Sequence, residues 1–428
     1  MTFRADNPTG LDLIPAAIAA LQPCFWENPR REPAAKVLPG LDMTRADMEE
    51  AQARWRRFRP LFVRLFPQTA GTEGHIDSPL IDVSTELDLS RENVADSRVL
   101  IKADHDLPVT GCIKARGGIY EVLTIAERIA LEKGLVSSPE DMVALAAPEA
   151  QNELGNYKIT VGSTGNLGYS VGVIARALGF EAEVHMSRDA KEWKKKRLRD
   201  MGVNVVEHRG NYTTAVASAR ASSASDPSSY FIDDEDSRTL FVGYSTAAFD
   251  VVRQLTDAGI KAGASGPVNV YLPCGVGGAP GGIAFGLKTL LGDAVRCYFV
   301  EPVKAPCMLV ELAGGPAAPS LEELGISGET IADGLAVASA SPLVAGLVGR
   351  LINGCFTCTD DAMVEWVKRI WAHPGLKLEP SAAAGFCALE QLLAEKPDPR
   401  AIHIVWTTGG AQLPDDEFLA LIRGDHSR

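Results

Sequence analysis

The chain has 428 residues, of which 46% are hydrophobic and 23% charged, and carries a net charge of −13. That length allows two or three domains around a large buried core, in the composition range of soluble globular proteins. The acidic balance disfavours nucleic acid or an anionic membrane as the main partner, because both require a basic footprint.

The opening Met1-Thr2-Phe3-Arg4-Ala5-Asp6-Asn7-Pro8 has no apolar core and cleavage site, so it does not read as a secretory signal. No stretch reaches the ~18 uninterrupted apolar residues of a membrane span. The most apolar run, 335–352, is broken by Ser339, Ser341, Pro342 and Arg350. The expectation is a cytoplasmic protein with no membrane partner. Residues 1–60 read as a helical extension, with helix formers at 16–21 and 47–55.

From residue 98 the pattern changes to strands alternating with helices. A strand is expected at 99–102. Next comes Pro108-Val109-Thr110-Gly111-Cys112-Ile113-Lys114-Ala115-Arg116-Gly117-Gly118, and a helix opens at 119–123. Lys114 stands among small and apolar neighbours, with Arg116 two residues on; burial and a nearby cation together make a lysine amine nucleophilic. A strand at 157–161 runs into Gly162-Ser163-Thr164-Gly165-Asn166-Leu167-Gly168, followed by a helix at 167–178. The hydroxyls, amide and backbone N–H groups of that loop suit a carboxylate, although a plain helix cap has the same composition. Strands at 182–186 and 203–207 flank a helix at 191–201, whose Lys194-Lys195-Lys196-Arg197 run reads as a solvated face. Residues 221–229 read as a Ser/Ala/Pro loop. The acidic Asp233-Asp234-Glu235-Asp236 follows.

The alternation restarts with a strand at 268–272, then Gly275-Val276-Gly277-Gly278-Ala279-Pro280-Gly281-Gly282, a helix at 283–291 and a strand at 296–300. Glycines between a strand and a helix let backbone N–H groups approach a phosphate at the positive end of the helix dipole. The loop lacks the Lys-Ser/Thr of a nucleotide-triphosphate loop, and no acidic ribose ligand follows it. A last buried strand at 401–406 leads to Thr408-Gly409-Gly410. The βα series predict an α/β fold with two doubly wound domains and ligands at the carboxyl ends of the strands. The expected division is the 1–60 extension, a large domain of 61–156 plus 240–428, and a small α/β domain of 157–239.

Eight cysteines are scattered through the chain, which argues against a disulfide framework. Cys355 and Cys358 form a lone CxxC with no second ligand pair for zinc, and read as half-buried thiols on a strand. The seven histidines show no metal spacing.

An amine, a polar anion loop, a phosphate cradle and a neutral polar cap are the parts needed to hold pyridoxal phosphate (PLP). The segment from Thr110 to Gly118 resembles the Schiff-base segment of fold-type II PLP enzymes, the tryptophan synthase β family. Its Cys-Ile-Lys-Ala-Arg-Gly-Gly version is similar to the bacterial D-serine dehydratase branch. Further likeness lies in Lys102-Ala103-Asp104-His105-Asp106-Leu107-Pro108, in 161–168, in 237–245, in Pro273-Cys274-Gly275-Val276-Gly277-Gly278 and in Leu378-Glu379-Pro380-Ser381.

The resemblance implies roles. Lys114 is the Schiff-base lysine, and Asn166 contacts the cofactor's ring hydroxyl. Gly275, Val276, Gly277, Gly278 and Ala279 cradle the phosphate, with Ala279 standing where a longer glycine run is common. Thr408 faces the pyridine nitrogen, and Ser163 with Thr164 holds the substrate carboxylate. Glu301, with Ala305 and Cys307 as carbonyl donors, is implied as a site for a monovalent or hard divalent cation; a surface carboxylate is the plainer reading.

The implied reaction is α,β-elimination of D-serine to pyruvate and ammonia. The α-proton goes to Lys114 or, if a D-substrate turns that face away, to Thr164. Asp234 helps the hydroxyl leave, unless its acidic cluster is only a surface turn. The alternatives are an L-serine, L-threonine or diaminopropionate lyase of the same fold, a non-catalytic PLP or metabolite-binding protein, and a nicotinamide-dependent oxidoreductase that would leave Lys114 unexplained. Monomer and dimer both remain open.

Overall fold

The computed structural model describes residues 14–87, 97–163, 165–188, 190–209 and 212–424. The described residues contain eleven strands: β1 (Phe25–Glu27), β2 (Leu80–Asp82), β3 (Arg98–Lys102), β4 (Lys158–Gly162), β5 (Glu181–Ser187), β6 (Asn204–His208), β7 (Ser229–Ile232), β8 (Val268–Pro273), β9 (Val295–Pro302), β10 (Gly354–Cys358) and β11 (Ile402–Trp406). They form a seven-stranded sheet in the order β1-β10-β9-β8-β11-β3-β2 and a four-stranded sheet in the order β6-β5-β4-β7. The interior strands of the large sheet are parallel, and the edges β1 and β2 are antiparallel. All four strands of the small sheet are parallel. A parallel sheet needs both faces covered, which is why β8, Val-Asn-Val-Tyr-Leu-Pro, is buried at every position.

Four segments differ from the sequence reading. The first is the amino-terminal extension, which is not helical throughout. Its helix at 16–21 shrinks to Ala16–Ala19, and Phe25–Glu27 becomes an edge strand that pairs with β10. Phe25 stacks on Phe356 at 4.3 Å, and this cross-strand aromatic contact outweighs local helix propensity. The second helix is longer than expected, Arg45–Leu65, and Thr44 and Asp47 cap its start reciprocally. Second, the loop expected at 221–229 begins as helix, since Tyr212–Ala224 runs through its first half and β7 starts at Ser229.

Third, Cys355 and Cys358 are fully buried on β10 rather than half-buried. Fourth, the Lys194–Arg197 run is not simply solvated. Lys195 is buried against Glu207 and the Arg188 carbonyl. Lys194 reaches Asp333 at 3.0 Å, and Arg197 reaches Gln412, so the helix Glu192–Asp200 bridges from the small sheet to loops around the large one.

Candidate active site

Lys114 lies in a tight turn beyond the carboxyl end of β3. The turn is tied to the loop after β11 by Ile113 N–H donating to the Thr408 carbonyl at 2.8 Å and by a bridge between Cys112 and Gly409. The Lys114 carbonyl accepts Gly118 N–H at 2.8 Å as the next turn begins. Gly117 is required there, because a Cβ would sit 2.4 Å from the Tyr244 ring. The Lys114 amine donates to Asp234 at 3.1 and 3.3 Å and lies 5.9 Å from the centre of the Tyr244 ring.

Arg116 does not supply the cation beside Lys114 that its position in the sequence suggested. Its guanidinium is held by Asp104 at 2.7 and 2.8 Å, with Asp77 and Asp250 nearby. Burial works against ionisation of Asp104, yet the Arg116 charge holds its carboxyl below the usual range. Trp406 Nε1 donates to the same carboxylate at 2.8 Å. This paired cluster anchors the turn from beneath, and the charged partner of Lys114 is Asp234.

Among the segments that line one cleft, five follow the carboxyl ends of parallel strands. They carry Lys114 (after β3), Ser163 and Asn166 (after β4), Asp234 (after β7), the 275–279 loop (after β8) and Thr408 (after β11). In the glycine loop, Gly277 has φ +114°, a conformation that favours glycine, and a Cβ there would meet Met308 at 2.4 Å. The helix Gly278–Leu291 starts at this point. No hydrogen bond among the described residues uses the N–H groups of Gly275, Val276, Gly277, Gly278 or Ala279. The cleft is also lined by Thr408, whose Oγ1 is buried and has no hydrogen-bond partner. The site thus offers unpaired backbone donors in one loop and an unsatisfied hydroxyl in another.

The Ser163 hydroxyl accepts N–H groups from Gly165 (3.2 Å) and Gly168 (3.0 Å), so it shapes its own loop while lining the cleft. Thr164 lies outside the described residues. Asn166 donates from Nδ2 to Glu379 at 2.9 Å, which fixes its amide orientation. Sequence reasoning gave Glu379 no role. It is half-buried in the cleft wall, is braced by Ser381 at 2.9 Å, and burial raises its carboxyl pKa. Tyr244 and Lys194 were also passed over. The available signal was weak: Glu379 precedes Pro380 at the start of a helix, a common capping position.

Glu301 is wholly buried on β9. Its two oxygens accept the N–H groups of Met308 and Leu309, each at 2.8 Å, at the start of the helix Cys307–Gly314. It is therefore not a surface carboxylate, and burial pushes its pKa up to about 8. Among the described residues, the cluster with three ligand atoms within 4.8 Å of one another is His75, Asp77 and Asp250, away from Glu301.

Glu121 accepts the Ser237 hydroxyl at 2.7 Å close to Asp233 and Asp234. Burial, with those two carboxylates, raises its pKa from 4.5 to about 8, against the opposing hydrogen bond. The folded chain therefore holds a proton that the unfolded chain releases above 4.5. Stability falls as pH rises through the window from 4.5 to 8. Glu121→Gln removes this loss. The variant's melting temperature should match the wild type near the lower bound and exceed it by a margin that widens toward the upper one. A margin independent of pH, measured by thermal unfolding at several pH values, would refute the assignment.

Residues 73–408 match the model of a family described as pyridoxal-phosphate dependent enzymes. A protein of Acidovorax ebreus (strain TPSY) named "Probable D-serine dehydratase" is 48% identical, over 95% of each chain. The chain belongs to the pyridoxal-phosphate dependent enzyme family.

A Pseudomonas aeruginosa protein of the same name, from the strain also designated PAO1, is 44% identical over 99% of this chain and 97% of its own. Among solved structures, Escherichia coli diaminopropionate ammonia lyase in complex with D-serine superposes with a TM-score of 0.71 at 17% identity, covering 95% and 98% of the two chains. The processed form of threonine deaminase isoform 2 from Solanum lycopersicum superposes at 0.60 with 21% identity, covering 81% and 88%. These two likenesses concern the fold, which is that of the fold-type II PLP enzymes. The cofactor of the family is pyridoxal phosphate, and the chemistry of the cleft suits it: the N–H groups of 275–279 are unpaired donors of the kind a phosphate takes, and the Thr408 hydroxyl has no partner within the protein. No described helix is long and apolar enough to cross a membrane.

Proposed function

We propose that this chain is a PLP-dependent lyase that converts D-serine to pyruvate and ammonia. The observation that carries the reading is the Lys114–Asp234 pair at 3.1 Å in a cleft with a free phosphate cradle. Relatives named "Probable D-serine dehydratase", matched over nearly the whole chain, support the substrate.

Bound pyridoxal phosphate supplies an electron sink for the charge left on the substrate's α-carbon. Lys114 would hold the cofactor covalently, the 275–279 loop its phosphate, Asn166 its ring hydroxyl and Thr408 its ring nitrogen. Ser163 and Thr164 orient the substrate carboxylate. Lys114 takes the α-proton, or Thr164 does if the D-substrate turns that face away. Asp234 takes a proton from the neighbouring amine and delivers it to the departing hydroxyl. A neutral Thr408 leaves the ring nitrogen without a charged partner, which suits a reaction whose charge leaves quickly through the β-carbon. Glu301 remains the proposed cation-binding carboxylate, with carbonyl donors at Ala305 and Cys307. The eight cysteines are free thiols, in keeping with a reducing cytoplasm. Monomer and dimer are both compatible with this reading.

Pyruvate release from D-serine and L-serine by the PLP-saturated protein is the direct test. The expected result is strong selectivity for the D-enantiomer. Release from L-serine or diaminopropionate instead would replace the substrate within the same fold, and release from none of them would remove the lyase assignment.

A further inference from the structure

A second cavity of about 510 Å³ lies between the helices Arg45–Leu65 and Ala247–Asp257, and it shares no lining residue with the Lys114 cleft. Its size falls in the usual range for small-molecule sites. We propose that it binds a small organic carboxylate with an apolar body, and that Arg59 is the anion-binding residue.

Ion pairing carries the first half of the argument. Beside the cavity, Asp77, Asp104 and Asp250 are taken up by Lys102, Arg116 and Arg253, and Asp257 adds a contact to Arg253 at 3.5 Å. His75 adds a contact to Asp250 at 3.2 Å. Arg59 is left over. It forms no ion pair or side-chain hydrogen bond among the described residues, and its Nε is buried without a partner. A buried donor left unpaired is costly, and a guanidinium is best satisfied by a planar carboxylate. The same pairing argues against a metal ion at His75, Asp77 and Asp250, despite their ligand-like spacing. Those carboxylates are already neutralised, so an added cation would meet uncompensated positive charge.

The second half rests on the remaining walls. Trp55, Ile76 and Phe249 give the cavity an apolar wall, and Trp55 stands one helical turn before Arg59 on the same helix. Trp55 is held in place by ring contacts to Phe62 and Tyr120 at 5.8 and 5.9 Å, so the wall is preformed. A free inorganic anion would satisfy Arg59 and leave this side in contact with water; a carboxylate on an aromatic or branched apolar body uses both.

Calorimetric titration of the holoenzyme with benzoate tests the site. Binding is expected, weakened ~10–100-fold in Arg59→Gln, the range for losing one charge-assisted hydrogen-bonded contact. Arg59→Lys should recover part of it. Because the Arg59 side chain makes no hydrogen bond or ion pair among the described residues, Arg59→Gln should unfold at the wild-type temperature, so weaker binding would not reflect misfolding. Three results would overturn the proposal: no benzoate binding, binding that Arg59→Gln leaves unchanged, or benzoate acting only as a competitor of D-serine in the Lys114 cleft.

Discussion

Lys114→Ala lowers pyruvate release from D-serine by ~10³-fold or more, the scale expected when a group serving both as nucleophile and as acid–base is removed. Two losses combine. The amine that would hold the cofactor is gone, and so is the nitrogen that carries a proton beside Asp234 at 3.1 Å. The rest of the site should survive, because the turn is held by backbone bonds and by the Arg116–Asp104 pair, not by the lysine side chain. The variant should therefore still bind pyridoxal phosphate, but lose it on dialysis far faster than the wild type does. Steady-state assay and cofactor retention after dialysis measure the two effects. Activity within a few-fold of the wild type would refute the role of Lys114.

Asp234→Asn should lower kcat for D-serine by ~10²–10⁴-fold with little change in KM, the span attributed to a positioned general acid. Asparagine keeps the volume and an acceptor for Lys114, but it cannot hold and release a proton. Hydroxide is a poor leaving group, so that proton matters at the step that breaks the bond to the β-carbon. Chloride leaves without one. β-Chloro-D-alanine should therefore be processed by the variant at close to the wild-type rate, whereas a merely structural defect would slow both substrates. Equal losses on the two substrates would sink the general-acid role. The geometry favours the proton carrier over a surface turn: the Asp234 side chain is 10% exposed and points at the amine.

Glu121 lies on the helix that follows Lys114, close to the Asp233–Asp234 turn, and burial first, then those two carboxylates, raises its pKa. Lys114 has Asp234 as its ion-pair partner, whereas the neighbouring Arg116 is held by acids of its own. Two cations two residues apart thus face different charge sets, because the turn after Lys114 directs their side chains to opposite sides.

Local chemistry was legible where it depends on residues close in sequence. A strand that runs into glycines and then into a helix start brings backbone donors to one point, and Gly277 with its φ of +114° and the unpaired N–H groups of 275–279 give that pattern its geometry. Alternating apolar runs identified most of the parallel strands, because a strand buried on both faces must be apolar throughout. Short edge strands were missed. Phe25–Glu27, Leu80–Asp82 and Ser229–Ile232 are three or four residues long, too short to show a period.

The residue types, their order and the placement of motifs after strands were determined by the sequence alone, because backbone conformation and helix-end electrostatics act over a few residues. Only the tertiary structure decided which charges meet. Asp234 lies 120 residues from Lys114, and Glu379 lies 213 from Asn166. Arg59 and the acids around Arg116 come together only when the helix Arg45–Leu65 packs against the large sheet's helices. Such pairings depend on how sheets and helices stack, and on which charges burial leaves without water. No window along the chain contains both partners.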